Sequence, residues 1–158
     1  TIKSKKITDK IGFSLYNPSD YLKLRKHLKP DQVQIPLNFF DQEFFKKKIQ
    51  DLIKFDKTKV HVRSIFLQGV LLNDNFKNIK IKLIMNKIKN LCELENIQLI
   101  DACINFVLNI KYIDKVVIGV NDINELKLIL NYKKKKLNFN FLNKISINKK
   151  YIKPYLWR

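Results

Sequence analysis

Residues able to do chemistry fall, in this 158-residue chain, where short apolar runs end. The fullest such stretch is Val60-His61-Val62-Arg63-Ser64-Ile65-Phe66-Leu67-Gln68-Gly69. Val60 and Val62 alternate with His61 and Arg63, the period of a strand. The run then meets Ser64, a short apolar patch and Gly69, one of three glycines in the chain. Ligands of parallel α/β sheets and barrels sit at the carboxyl ends of the strands. Glycine at such an end lets the backbone approach a ligand or turn with φ above zero. The plain alternative is a strand-to-loop exit with no ligand, and this stretch alone does not choose between the two.

Other chemistry is thin. Cys92 and Cys103 lie in helical-looking segments without CxxC spacing and read as buried free thiols of a reducing, cytoplasmic compartment. His27 and His61 are far apart and give no metal signature. His27 falls in a helix and is expected at the surface; His61 alternates with core-facing valines, which favours a structural role.

Length bounds the chain to one domain, residues 1–158, and 46% hydrophobic residues suffice for a core. The net charge is +18, from 32 basic and 14 acidic residues. Such a charge ordinarily raises nucleic acid or an anionic surface as a partner. Here nearly all the cations are Lys among many Asn and Ile, the pattern of a compositional drift. Arg, the residue of forked phosphate contacts, occurs only at Arg25, Arg63 and Arg158, so nucleic acid is not an expected partner. No run of eighteen apolar residues offers a membrane span. The first ten residues are basic and polar, unlike a signal peptide. Thr1 in place of Met implies either a removed initiator or a piece of a longer protein.

The elements that position these residues alternate. Lys10 to Ser14 reads as a short strand. Ser19 is an N-cap candidate after Pro18, and Tyr21 to Leu28 has helical spacing. Asp31 to Pro36 is a strand with Val33 and Ile35 on one face and Gln32 and Gln34 on the other. Asp41 is a plausible cap for an amphipathic helix, Gln42 to Phe55, with Phe44, Ile49, Ile53 and Phe55 near one stripe. After the Val60 strand come helices over Lys77 to Glu95 and Gln98 to Asn109, a buried-type strand over Lys115 to Gly119, and a helix from Ile123 capped by Asp122. Beyond Asn131 the periodicity fades. Lys133 to Lys136 reads as a solvated charge run, and the aromatic end, Tyr151 to Trp157, as a tail (131–158) packed on the body. Strand-helix alternation without two-residue hairpins argues for an α/β fold with a parallel sheet.

Four strand ends, in order and spacing, resemble the aldo/keto reductases: Lys10-Ile11-Gly12-Phe13-Ser14, Val33-Gln34-Ile35-Pro36-Leu37-Asn38, Arg63 to Leu71, and Ile113 to Val120 with its following helix. The ending Lys153-Pro154-Tyr155-Leu156-Trp157 is similar to that of bacterial members that travel with sugar-modifying genes. The resemblance covers nearly the whole chain, and each motif alone is weak. It implies parallel βα units forming the C-terminal half of a TIM (β/α)8 barrel, strands five to eight, the half that mainly holds a nicotinamide cofactor, NAD or NADP. By resemblance, Ser14 and Gln34 meet the nicotinamide carboxamide, and Arg63 stacks on the ring where many members carry Tyr. Ser64, Phe66, Leu67 and Gly69 belong to the loop that wraps the pyrophosphate. Gly119, Asn121, Asp122 and Glu125 lie along the adenosine phosphate end, at a helix N-terminus suited to anions.

The chain departs from the family at Leu15, where an Asn is usual. Leu128 and Ile129 replace the adenine-contacting pair. Asp122 and Glu125 stand where the family grips a 2′-phosphate, and carboxylates there tilt the expectation from NADP toward NAD. The family's general-acid Tyr, with its Lys, Asp and His, comes from the first half of the barrel and has no matching block here. Tyr16 reads as a pocket-rim or packing residue. Three readings follow: a cofactor-binding half of an oxidoreductase, inactive alone and partnered by the missing N-terminal half; a non-catalytic half-barrel that dimerises as a structural protein, since two open strand edges invite pairing; or a basic module that docks its Lys-rich tail on nucleic acid or an anionic surface.

Overall fold

Alternation of small apolar and polar residues makes the strands, and the computed structural model, which describes residues 6–73, 76–144 and 147–154, shows four of them. The elements in order are β1 (Gly12–Ser14), α1 (Pro18–Leu24), β2 (Gln32–Pro36), α2 (Lys47–Phe55), β3 (Lys59–Arg63), α3 (Ile79–Leu94), α4 (Leu99–Leu108), β4 (Lys115–Val116), α5 (Ile123–Leu130) and α6 (Lys149–Ile152). Short 3-10 turns lie at Glu43–Phe45, Val70–Leu72 and Asn140–Lys144. Every neighbouring strand pair is parallel, in the order β1-β2-β3-β4. Sheet order equals chain order, so each crossover steps in the same direction. A doubly wound sheet reverses that step at its switch point; a βα barrel does not. The expected half-barrel is therefore what the chain forms, with β1 and β4 as open edges among the described residues.

Register assigns the two faces. Val33 pairs with Val60 and Ile35 with Val62, and all four are 0% exposed. They join Ile49 and Ile53 of α2, Ile84, Met85 and Ile88 of α3 and Val107 of α4 in one apolar cluster. The opposite face is polar, because side chains alternate along a strand. Ser14, Gln34, His61 and Lys115 form one register row across it, and Gly12, Gln32 and Lys59 another. His61 is half-buried there, and His27 is exposed in the turn after α1. A Cβ on Gly12 would stand 2.3 Å from Gln32 Cγ, so this close approach of β1 to β2 requires glycine.

Several local expectations are corrected. α1 is capped at Asn17, not Ser19, with Pro18 as its first residue, and the Asn17 N–H donates to Asp20 Oδ2 at 3.2 Å. It ends at Leu24, leaving Leu28 exposed. The segment expected as one helix over Gln42 to Phe55 is broken at Lys46, whose φ of −63° and ψ of 131° are extended. Asp41 does not cap it, because its carboxylate is held by Lys153, and Phe55 lies 73% exposed rather than in the core. β4 has two residues, neither fully buried: it is the edge strand, and Val116 packs only partly on the core. The periodicity after Asn131 fades for a reason visible in α4. Asp101 and Asn105, one helical turn apart and buried, zip the extended backbone alongside: Lys133 N–H donates to Asp101 Oδ1, Asn105 Nδ2 to Lys133 C=O, and Lys135 N–H to Asn105 Oδ1. The side chains of Lys133 to Lys136 remain exposed, as expected. Of the aromatic tail, Tyr155 to Trp157 lie outside the described residues. Both cysteines are buried and free; burial pushes the Cys92 thiol up to about 11 and raises that of Cys103, so neither is a nucleophile at neutral pH.

One ion pair anchors the end of α1. Asp56, its side chain 0% exposed, accepts from Arg25 Nε at 2.7 Å, from a second Arg25 nitrogen at 2.9 Å and from the Tyr21 hydroxyl at 2.8 Å. The Arg25 guanidinium holds the Asp56 carboxyl below its ordinary value. A depressed carboxyl adds stability above its unfolded-state value, and that stability is lost as pH falls through the folded-state one. Asp56→Asn is therefore expected to lower the urea midpoint at neutral pH and to flatten its decline toward acid. An acid decline as steep as the wild type's would contradict the pair.

Candidate functional site at the carboxyl ends of the strands

Parallel strands in chain order deliver four exits to one edge of the sheet, and the ladder continues past the strands to tie them. Leu15 N–H donates to Gln34 C=O at 2.9 Å, Leu37 N–H to Arg63 C=O at 3.2 Å, and Val117 N–H to Val62 C=O at 2.7 Å. Ser14 and Gln34 are register partners on the polar face. Arg63 ends β3 on that face. Its guanidinium carbon stands 4.4 Å from the centre of the Tyr16 ring, a cation–π stack. Its terminal nitrogens reach Ser64 Oγ at 3.3 Å and the Leu15 carbonyl at 3.4 Å. Tyr16, read from sequence as rim or packing, is thus the platform under Arg63. Leu15, in place of the family's Asn, is buried.

The β3 exit has an unusual backbone. Ser64, Leu67 and Gln68 have φ of 60°, 48° and 54°, and Gly69 follows at 79°. The left-handed region costs a non-glycine residue about 1–2 kcal/mol, so three such residues need support. Leu67 is buried at 1% exposure, with Ile65 and Phe66 buried beside it. Asn38, itself buried, donates from Nδ2 to the Ser64 carbonyl at 3.0 Å, while its Oδ1 accepts from the Phe40 and Asp41 N–H groups. Three consecutive left-handed residues coil the backbone and align its N–H groups, a concavity of the kind that binds anions. Among the described residues, the N–H groups of Gln68 and Gly69 donate to no backbone carbonyl. Phe66 and Leu67 face the core, so this loop offers backbone rather than side chains.

The fourth exit stands apart. Gly119, Asn121 and Asp122 are exposed, and Glu125 is half-buried. Asp122 caps α5 as expected, accepting from the Asn124 and Glu125 N–H groups at 2.7 and 2.9 Å. Glu125 Oε2 accepts from the backbone and side-chain nitrogens of Asn121 at 2.7 and 3.1 Å. The donors of this helix end are already engaged by carboxylates. No hydrogen bond joins this turn to the Ser64–Gly69 loop among the described residues. The structure pairs Ser14 with Gln34, sets Arg63 against Ser64 and the Leu15 carbonyl, and leaves Gly119, Asn121, Asp122 and Glu125 at the open β4 edge.

Asn38, Asp41 and Lys153 carry weight that sequence reasoning missed. Lys153 and Asp41 have side chains 1% exposed and meet at 2.8 Å. Lys153 Nζ also donates to the Tyr16 carbonyl at 3.0 Å and stands 3.2 Å from Glu43 Oε2, and Lys149 pairs with Glu43 Oε1 at 3.0 Å. Burial pushes the Asp41 carboxyl up against the pull of Lys153. Burial acts the same way on Glu43, but its two lysines outweigh it and lower the carboxyl. Asp41 Oδ1 is buried without a hydrogen bond among the described residues. A lysine 112 positions from its carboxylate has no local signal, and the resemblance of the tail marked Lys153 without its partner. Two cavities flank this cluster. One of about 770 Å³ lies between the Glu43 turn and α6. The other, of about 310 Å³, is lined by Leu67, Val70, Asn78 and Tyr151. No group of three metal-binding side chains occurs among the described residues.

A singly wound half-barrel whose polar loops gather at the carboxyl edge is the class this geometry defines. Solved structures of that class are similar to it. The apo form of the aldo-keto reductase AKR11C1 from Bacillus halodurans matches at a TM-score of 0.67 and 14% identity, over 92% of this chain and 54% of that one. The holo form matches at 0.63 and 15% identity, over 94% and 49%. The chain thus spans about half the length of these structures, consistent with the C-terminal half of their barrel, and shares their fold. No protein-family model matches the sequence, and no curated protein does.

Proposed function

We propose that this chain is the cofactor-binding half of an oxidoreductase of aldo/keto reductase type, without turnover alone. The observation that supports it most is the left-handed coil at Leu67-Gln68-Gly69, placed where the resemblance puts the pyrophosphate and bordered by the Ser14, Gln34 and Arg63 group. A strained backbone persists only where its surroundings hold it, and such strain gathers at ligand clamps. The residues present fit a dinucleotide in three parts. The coil offers N–H groups to phosphate. Arg63, held over the Tyr16 ring, would offer its guanidinium to the nicotinamide ring. Asp122 and Glu125 suit ribose hydroxyls and repel a further phosphate, which favours NAD over NADP. The bound nicotinamide would supply the hydride chemistry. This chain would hold and orient it, and the proton donor would come from a complementing half.

Nicotinamide fluorescence tests this. NADH is expected to bind with enhanced emission, and Arg63→Ala to weaken binding about tenfold, the loss of roughly 1.4 kcal/mol. Absent binding, even with an added N-terminal half-barrel, would refute the proposal. Unchanged affinity in Arg63→Ala would place its side chain elsewhere.

The open β4 side favours one further reading. Val117, Val120, Ile123, Leu128 and Leu130 are each more than 40% exposed, an apolar margin beside an unpaired strand edge. A second copy of this chain would cover it in a structural dimer without catalysis. A clean monomer in gel filtration would count against that dimer.

A further inference from the structure

We propose that Lys153 is a positioning residue for the Arg63 platform, a tail latch whose ammonium ties the exits of β1 and β2 and through them acts on the exit of β3. Its ammonium makes two hydrogen bonds, to two different stretches, and one further ion-pair contact. The Tyr16 carbonyl, at 3.0 Å, follows β1. Asp41 Oδ2, at 2.8 Å, follows β2, with Glu43 Oε2 at 3.2 Å in the next turn. Both routes lead to β3. Through Tyr16, the bond holds the backbone that carries the ring on which Arg63 stacks at 4.4 Å. Through Asp41, it fixes the turn whose Asn38 accepts the Phe40 and Asp41 N–H groups and donates to the Ser64 carbonyl. Ser64 in turn accepts from Arg63.

The ammonium is 1% exposed, and no structural need of the sheet explains a cation there. The sheet and its cluster are apolar around β2 and β3. The Lys153 bonds instead act on the polar exits. With α6 docked, Tyr16 and Ser64 flank Arg63 in one geometry. With it undocked, the Tyr16 carbonyl has lost the ammonium and the Asp41 turn its cation, so both supports of the Arg63 platform are weakened. Docking of the tail therefore prepares the nicotinamide end of the site, a statement that rests on the function proposed above only for what the prepared site binds.

The test reads Arg63 directly. Only three arginines occur in the chain, so its Nε–H signal in nitrogen-labelled protein is assignable with an Arg63→Lys control. The double variant Lys153→Met with Asp41→Asn removes the latch without leaving a buried lone charge. The Arg63 signal is expected to move to the position of a free arginine, and NADH affinity to fall about tenfold. An unmoved signal in the folded double variant would overturn the latch. A moved signal with no NADH binding by either protein would uphold the latch and refute the cofactor site. If the double variant does not fold, Lys153→Arg keeps the buried cation but cannot meet all three acceptors from the same place; a moved signal supports the latch and an unmoved one overturns it.

Discussion

Lys153→Ala is expected to destabilise the chain by roughly 3–5 kcal/mol, the usual cost of removing one partner of a buried ion pair. The loss comes mostly from what is left behind. Asp41 stays 1% exposed with no cation in contact, its Oδ1 already without a hydrogen bond. Glu43 keeps Lys149, so the uncompensated charge is one, on Asp41. Urea denaturation at neutral pH measures the effect. Adding Asp41→Asn should recover most of the loss, because the orphaned charge goes with it. A single variant within 1 kcal/mol of wild type, below the range for such pairs, would mean that the tail is undocked in solution.

The second large effect belongs to Phe39. This residue, 1% exposed, sits between α4 and the segment after α5. Its ring centre is 5.2 Å from that of Phe106 and 5.4 Å from that of Phe139, and those two lie edge-on at 5.3 Å. Phe39→Ala removes one corner of the trio, and a buried Phe→Ala costs about 3–5 kcal/mol. A matching drop in urea-measured stability is expected, with the denaturant slope unchanged. The conservative Phe39→Leu should lose less, since it fills most of the space. A loss equal for both variants would point to the ring contacts rather than the volume.

The strands were legible because their cues are local. Val33 and Ile35, or Val60 and Val62, alternate with polar neighbours, and alternation decides which side is buried. The same pattern failed at Val116-Val117-Ile118, where Val116 and Ile118 only partly pack on the core and Val117 is exposed at the open edge of the sheet. Burial there is a property of the assembly and not of the run. Helix ends were misjudged where a side chain had a distant use. Asp41 has the chemistry of a cap and the position of one, yet its partner is Lys153. Resemblance supplied the order of Ser14, Gln34 and Arg63; the register pairs Ser14 with Gln34, while Arg63 pairs with Pro36, two residues further along β2. The Arg63–Tyr16 stack and the Asn38 brace depend on rotamers and on the approach of separate loops, which no spacing encodes. The left-handed φ values at Ser64, Leu67 and Gln68 were equally invisible, since only Gly69 announces such a turn by its type.

Amide NMR with NADH added stepwise tests the site most directly, because it reports place as well as binding. Shifts concentrated at Ser14, Gln34, Arg63, Ser64, Gln68 and Gly69, with saturation, are the predicted result. Shifts confined to the amino ends of the strands, around Lys59 and Lys115, or none at all at millimolar NADH, would contradict a dinucleotide site at the carboxyl edge.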